Sequence, residues 1–156
     1  MPTDGVASLV PLLVVRDAAG AIAFYTRALG AREMVRFVNR KNGSVSHADL
    51  AIGEAVFSVT EEARAWNSDA PPSLGGSPVI LQCRVANVDA VFEAMCTAGA
   101  TVVFQIVDFC GDRMARLRDP YGHLWLLIQS TEELSPDEIH RQRDEWAPPR
   151  QPPPKT

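Results

Sequence analysis

Cysteine is scarce in this chain, with three among 156 residues, Cys83, Cys96 and Cys110, all far apart. An odd and widely spaced set forms neither a disulfide framework nor the close-spaced pairs of a zinc site, so reduced thiols in a cytoplasmic protein are expected. Excess positive charge is absent as well. Fifteen Lys and Arg stand against 19 Asp and Glu, a net charge of -4, which gives no footprint for a phosphate backbone and excludes nucleic acid as a partner. Long apolar runs are missing too. The stretch Leu9 to Val15 is broken by Pro11 and closed by Arg16 and Asp17, too short for a membrane span or a signal peptide, so no membrane partner is expected. The chain is too short for a multidomain enzyme, yet its 46% hydrophobic content is enough for one domain or two small units sharing a core.

What is present is an internal repeat. Leu9 to Val15 leads through Asp17, a helix cap, into a helix from Ala18 to Leu29 closed by Gly30. Val79 to Val85 leads likewise through Asn87 into a helix from Val88 to Ala98 closed by Gly99. Three extended segments follow each helix. In the first half they are Glu33 to Lys41, Ser44 to Ile52 and Glu54 to Thr60, with Asn42-Gly43 as a hairpin signal. In the second they are Thr101 to Phe109, Arg113 to Arg118 and His123 to Gln129, with turns at Gly111-Asp112 and at Asp119 to Gly122. Each half reads βαβββ. A single unit leaves one face of its sheet uncovered, so two units pairing make a sensible α+β domain. The domain spans residues 8–130, with module one at 8–60, a linker or lid at 61–77 and module two at 78–130. A helix at 131–147, capped by Ser135 with Pro136 at its first position, precedes a proline-rich tail at 148–156 that is expected to be disordered.

The repeat, the opening Val14-Val15-Arg16-Asp17, and the pair Gly111-Asp112-Arg113 and Arg118-Asp119-Pro120-Tyr121-Gly122-His123 resemble the vicinal-oxygen-chelate superfamily. That group comprises glyoxalases, bleomycin-resistance proteins and extradiol dioxygenases, and the likeness is greatest to its PhnB-like glyoxalase-like subgroup. The resemblance implies two tandem βαβββ modules forming a curved, cavity-enclosing sheet with helices outside, and a homodimer. It also implies metal-ligand positions on the first and last strands of each module, which fall on Val10, Ser58, Ile80 and Leu126. Three of these side chains have no lone pair for a cation, and one serine hydroxyl cannot hold a divalent metal. The expectation is therefore no metal and no cofactor.

Strand alternation then selects the cavity side chains. With Phe57, Val59, Leu81, Cys83, Ala48, Leu50, Ala115 and Leu117 toward the core, the opposite parity presents His47, Asp49, Ser58, Gln82, Met114 and Arg116 to one cavity. Trp66 in the linker and Phe104 on the first hairpin strand of module two complete the ligand-binding set. Phe104 and Phe109 can both face inward only if a bulge intervenes. An apolar pocket with a few convergent polar groups suits a small-molecule ligand. Arg116 suits a carboxylate or a planar conjugated ring, or a purely structural partner. Asp49 with Arg118 reads equally as a strand-end ion pair. His47 is either a hydrogen-bonded fixture or, if the chain is an enzyme, its acid–base residue. Two functions follow. The first is a small-molecule-binding protein of the bleomycin-resistance type that sequesters an antibiotic or related planar metabolite without metal or catalysis. The alternative is a glyoxalase-like lyase or isomerase using an atypical metal set or His47.

Overall fold

In a computed structural model, which describes residues 5–146, the chain turns from strand to helix at Asp17. Its carboxylate accepts the Gly20 N–H at 2.9 Å and so caps α1 (Ala18–Leu29), which follows β1 (Leu12–Val15). Ile22, Phe24, Tyr25 and Ala28 form the buried stripe of α1, and Gly30 ends it in the left-handed conformation at φ 65°. The same logic recurs in the second half. Asn87 accepts the Ala90 N–H at 3.0 Å, between β5 (Ile80–Arg84) and α3 (Val88–Thr97).

Each helix is followed by three antiparallel strands. β2 (Arg32–Val38), β3 (Val45–Ile52) and β4 (Ala55–Glu61) assemble with β1 in the order β1-β4-β3-β2, β1 lying parallel to β4. β6 (Thr101–Phe109), β7 (Asp112–Arg118) and β8 (Leu124–Ser130) assemble with β5 in the equivalent order β5-β8-β7-β6. The fold is thus α+β, with the two tandem βαβββ modules read from the repeat. Among the described residues no strand pairs across the two four-stranded sheets, and they do not close into a barrel. The modules meet through α1 against α3 and through side chains of the shared core.

Several boundaries differ from the sequence reading for identifiable reasons. β1 begins at Leu12 because Pro11 lacks an N–H, although its carbonyl still accepts the Ser58 N–H at 2.8 Å. Asn42-Gly43 does not form a two-residue hairpin. Asn39 and Ser44 close a longer loop, in which the Asn39 and Asn42 side chains accept the backbone N–H groups of Lys41 and Ser44. The tight turn of module two is Cys110-Gly111 rather than Gly111-Asp112. Both residues have positive φ, 51° and 78°, as the twist of a two-residue hairpin demands. The linker is ordered, with a 3-10 turn at Arg64–Trp66 and a short helix α2 (Pro71–Leu74). Glu62 ties it down, accepting from the Ala70 N–H at 2.7 Å and from the Ser73 hydroxyl, with Arg16 at 3.7 Å. The last helix, α4 (Pro136–Glu145), carries a Ser135–Glu138 capping box, and Trp146 just beyond it packs on Phe109 at 4.9 Å between ring centroids. The expected tail at 148–156 lies outside the described residues.

Asp119 sits at the joint between modules, only 2% exposed. One carboxylate oxygen accepts the Tyr25 hydroxyl at 2.8 Å and the Trp125 indole N–H at 2.9 Å, while the other accepts the backbone N–H groups of Tyr121 and His123 at 2.9 and 3.0 Å. Tyr25 comes from module one and the other three from module two. Burial, reinforced by the neighbouring Asp119, pushes the Tyr25 phenol well above its ordinary range, so it remains a donor. His123 adds a second cross-link, its Nε2 donating to the Val14 carbonyl at 2.9 Å. Replacing Asp119 with Asn puts an amide hydrogen face against one pair of donors. Asp119→Asn is expected to lower the unfolding free energy by about 3 kcal/mol in urea titrations. A loss below about 0.5 kcal/mol would show that the joint does not depend on this carboxylate.

Candidate functional site

Register, more than sequence spacing, decides which side chains share a row. In sheet one Leu12 stands opposite Ser58, Ser58 opposite Asp49, and Asp49 opposite Val35. In sheet two the equivalent row is Gln82, Leu126, Arg116 and Phe104. The expected alternation is clearest on β3 and β7, while Ser58 and Ile128 are buried on the face opposite the core and Gln82 is exposed. Ala48, Leu50, Phe57, Val59, Ala115, Leu117, Trp125 and Leu127 are buried beneath the helices, while His47, Asp49, Met114, Arg116 and Leu126 are half-buried on the opposite face.

The site residues expected to share one cavity fall into two groups. His47, Asp49 and Ser58 belong to sheet one, whereas Gln82, Phe104, Met114 and Arg116 belong to sheet two. Among the described residues no hydrogen bond or ion pair joins the groups. The first is a tight cluster around one oxygen. Asp49 Oδ1 accepts the Ser58 hydroxyl at 2.5 Å and lies 2.9 Å from His47 Nε2. The hydrogen bond from Ser58 is the largest cause holding the Asp49 carboxyl below its ordinary range; burial opposes it, and the hydrogen bond and charge of His47 add lesser lowering effects. Asp49 is therefore not the partner of Arg118, which is exposed on the other sheet.

The second group is built on a bulged strand. Register shifts flank Phe104, between Val102 and Phe104 and again before Val107, which is the bulge needed to re-aim an aromatic ring on β6. The Arg116 guanidinium carbon lies 5.1 Å from the centre of the Phe104 ring, within cation–π range. Its Nε is buried and has no acceptor among the described residues. Beside this row, a crevice of about 1030 Å³ opens between the modules. It is walled by Val10, Val56, Ile80, Cys83 and Val91, with Trp125 also lining it, and Gln82 belongs both to it and to the Arg116 row. Trp66 lines neither surface in the isolated chain and stands 83% exposed on the 3-10 turn.

The register also corrects the ligand positions. Leu12 and Gln82, and not Val10 and Ile80, stand beside Ser58 and Leu126. These four positions thus supply one hydroxyl, already donating to Asp49, and one carboxamide on a different sheet. Among the described residues no three His, Cys, Asp or Glu side chains converge. That donor set does not fit the divalent metal of the chelating enzymes, whose sites need several anionic oxygens or imidazoles. Asp119 is the structural anchor that sequence reasoning missed. It lay within the Asp-Pro-Tyr-Gly turn, and the nearby Trp125, a buried indole needing an acceptor, was the signal that could have found it.

Paired βαβββ modules, each a four-stranded sheet with a helix on one face, define a glyoxalase-type scaffold. Residues 6–127 match the model of the Glyoxalase/Bleomycin resistance protein/Dioxygenase superfamily, and the chain belongs to that superfamily. It is 41% identical over 136 residues to an uncharacterized protein of Mycobacterium bovis, a match covering 85% of this chain and 89% of that one. Among solved structures, TioX from a Micromonospora species superposes with a TM-score of 0.62 at 26% identity, covering 80% of this chain and 99% of TioX. The PhnB protein from Bacillus cereus gives 0.59 at 17% identity, covering 78% of this chain and 98% of that one. Among the described residues no helix is long and apolar enough to cross a membrane.

The Asp49 cluster makes a direct prediction. Ser58→Ala removes the largest cause of the lowered carboxyl value, so Asp49 should titrate closer to the ordinary value of about 3.9 in a carboxyl-carbon NMR titration. A depressed folded-state value contributes stability that is present above the unfolded value and is lost as pH falls through the folded one. The variant should accordingly lose this contribution at a higher pH than the parent does. An unchanged Asp49 titration would mean that Ser58 does not hold it.

Proposed function

We propose that the protein binds and sequesters a planar or amphipathic small molecule, an antibiotic or related metabolite, without metal. The observation that carries this reading is the continuity of the crevice with the Arg116 row through Gln82. A large, mainly apolar space with a few polar groups at one edge is the usual form of a small-molecule site. The donor set, Ser58 and Gln82 on separate sheets, supports binding in place of metal chemistry.

The reading includes a homodimer. Leu12 on β1 and Ile80 on β5 are exposed, as are Leu9 and Val79 in the segments leading into them, and each strand is an outer strand of its sheet. Apolar sheet edges of this kind call for cover, and a second copy supplies it. Trp66 would then have an apolar surface to meet, either the partner or the ligand.

Planar antibiotics titrated against intrinsic tryptophan fluorescence should quench it saturably, in protein that sediments at twice the chain mass. Trp66→Ala should remove most of the change or weaken binding by about tenfold. Absence of any change across planar and peptide antibiotics, in a dimer or a monomer, would overturn the reading.

The contact between His47 and Asp49 favours a second reading, a lyase or isomerase in which His47 moves a proton with Asp49 orienting the ring. Turnover of an α-carbonyl substrate that falls at least about 100-fold in His47→Gln, with the fold intact, would establish it. Equal turnover in the two proteins would dismiss it.

A further inference from the structure

Arg116 is set apart from the other arginines that carry an ion pair. Arg16, Arg36, Arg64, Arg113 and Arg141 each lie within 4.0 Å of a carboxylate. Arg116 has no such partner among the described residues, and its Nε is enclosed with nothing to donate to. Its row neighbours Phe104 and Leu126, and Met114 beside it along the strand, carry no carboxylate. A buried donor left unmet costs free energy that an acceptor of the right shape recovers on arrival.

The surrounding charges reinforce the point. Arg84 and Arg118 share this face with Arg116 by strand parity, and both are exposed. Asp112 is the acidic group of the same parity on β7, four residues along the strand from Arg116, and it already accepts the Ser130 hydroxyl at 3.0 Å. Asp108, on β6, is bound by Arg113. In a chain whose net charge is -4, this sheet face is locally cationic.

We propose that the face of sheet two is a seat for a planar aromatic carboxylate. The proposal deepens the sequestering reading above and rests on it. The carboxylate accepts from Arg116 Nε and a terminal guanidinium nitrogen side by side, the geometry for which a guanidinium is preorganised. The aromatic ring lies against Phe104 and the Met114 and Leu126 side chains. Phe104, held 5.1 Å from the Arg116 guanidinium carbon, keeps that group in place before the ligand arrives. Gln82, across Leu126 in the same row, reads a polar group at the far end of the molecule and directs any apolar extension into the crevice.

The probe is 2-naphthoate, with 2-naphthamide as its uncharged isostere and a neutral planar antibiotic as reference, all measured by calorimetry on the full-length protein. Naphthoate should bind saturably and at least about tenfold more tightly than the amide. Arg116→Gln should remove that preference, weakening naphthoate by about 10- to 100-fold while leaving the amide unchanged. Should Arg116→Gln fail to fold, Phe104→Leu keeps the guanidinium and removes its stacking partner, and it should weaken naphthoate by several-fold. Equal binding of naphthoate and naphthamide, or undiminished naphthoate binding in the folded variants, overturns the seat. Binding of the neutral antibiotic without naphthoate overturns the seat alone and leaves the sequestering reading standing. Binding of none of the three removes both.

Discussion

Four hydrogen bonds to one buried carboxylate hold the two halves of this molecule in register. Asp119 takes the Tyr25 hydroxyl from the first module and the Trp125 indole, Tyr121 and His123 N–H groups from the second. The rings of Tyr25, Phe57 and Trp125 pack on one another beside it, with centroids 5.3 to 6.0 Å apart and mostly edge to face. An apolar joint of helices alone would tolerate sliding. A carboxylate whose donors come from fixed positions on both modules does not, because any slip leaves a buried polar group unmet. The relative placement of the two modules, and of the crevice between them, follows from this contact.

Internal symmetry makes the divergence of the two faces easy to see. Leu12 matches Gln82, Ser58 matches Leu126, Asp49 matches Arg116 and Val35 matches Phe104. The central position of the row is an anion in one sheet and a cation in the other. The anion is satisfied internally by Ser58 and His47, whereas the cation is left with an unmet donor. Two copies of one architecture thus offer opposite chemistry, one face closed on itself and one open to an acceptor.

The period-two alternation made much of this readable from residues alone. Ala48, Leu50, Phe57, Val59, Ala115 and Leu117 could face only the core, and that assigned His47, Asp49, Met114 and Arg116 to the other side. Alternation fixes parity but not register, since a shift of two residues preserves every face. Val10 and Ile80 were therefore indistinguishable in sequence from Leu12 and Gln82 as row members. Nor could alternation reveal that parity-matched residues lie on separate sheets, because β1 to β4 and β5 to β8 pair only among themselves. The Cys110-Gly111 turn escaped notice for a local reason, as a cysteine at φ 51° carries no sequence signal.

The scaffold's stability is decoupled from the chemistry of its rows. The buried framework comprises Asp119, the aromatic cluster and the aliphatic core under the helices, and none of it draws on the row positions. Leu126 is a side chain that packs, and the Ser58 hydroxyl donates to Asp49. Neither side chain leaves a buried polar atom without a partner among the described residues. A chain in which a metal held the modules together could not lose its ligands without unfolding. Here Asp119 performs that joining, so the central row position can be an anion in one sheet and a cation in the other without cost to the joint.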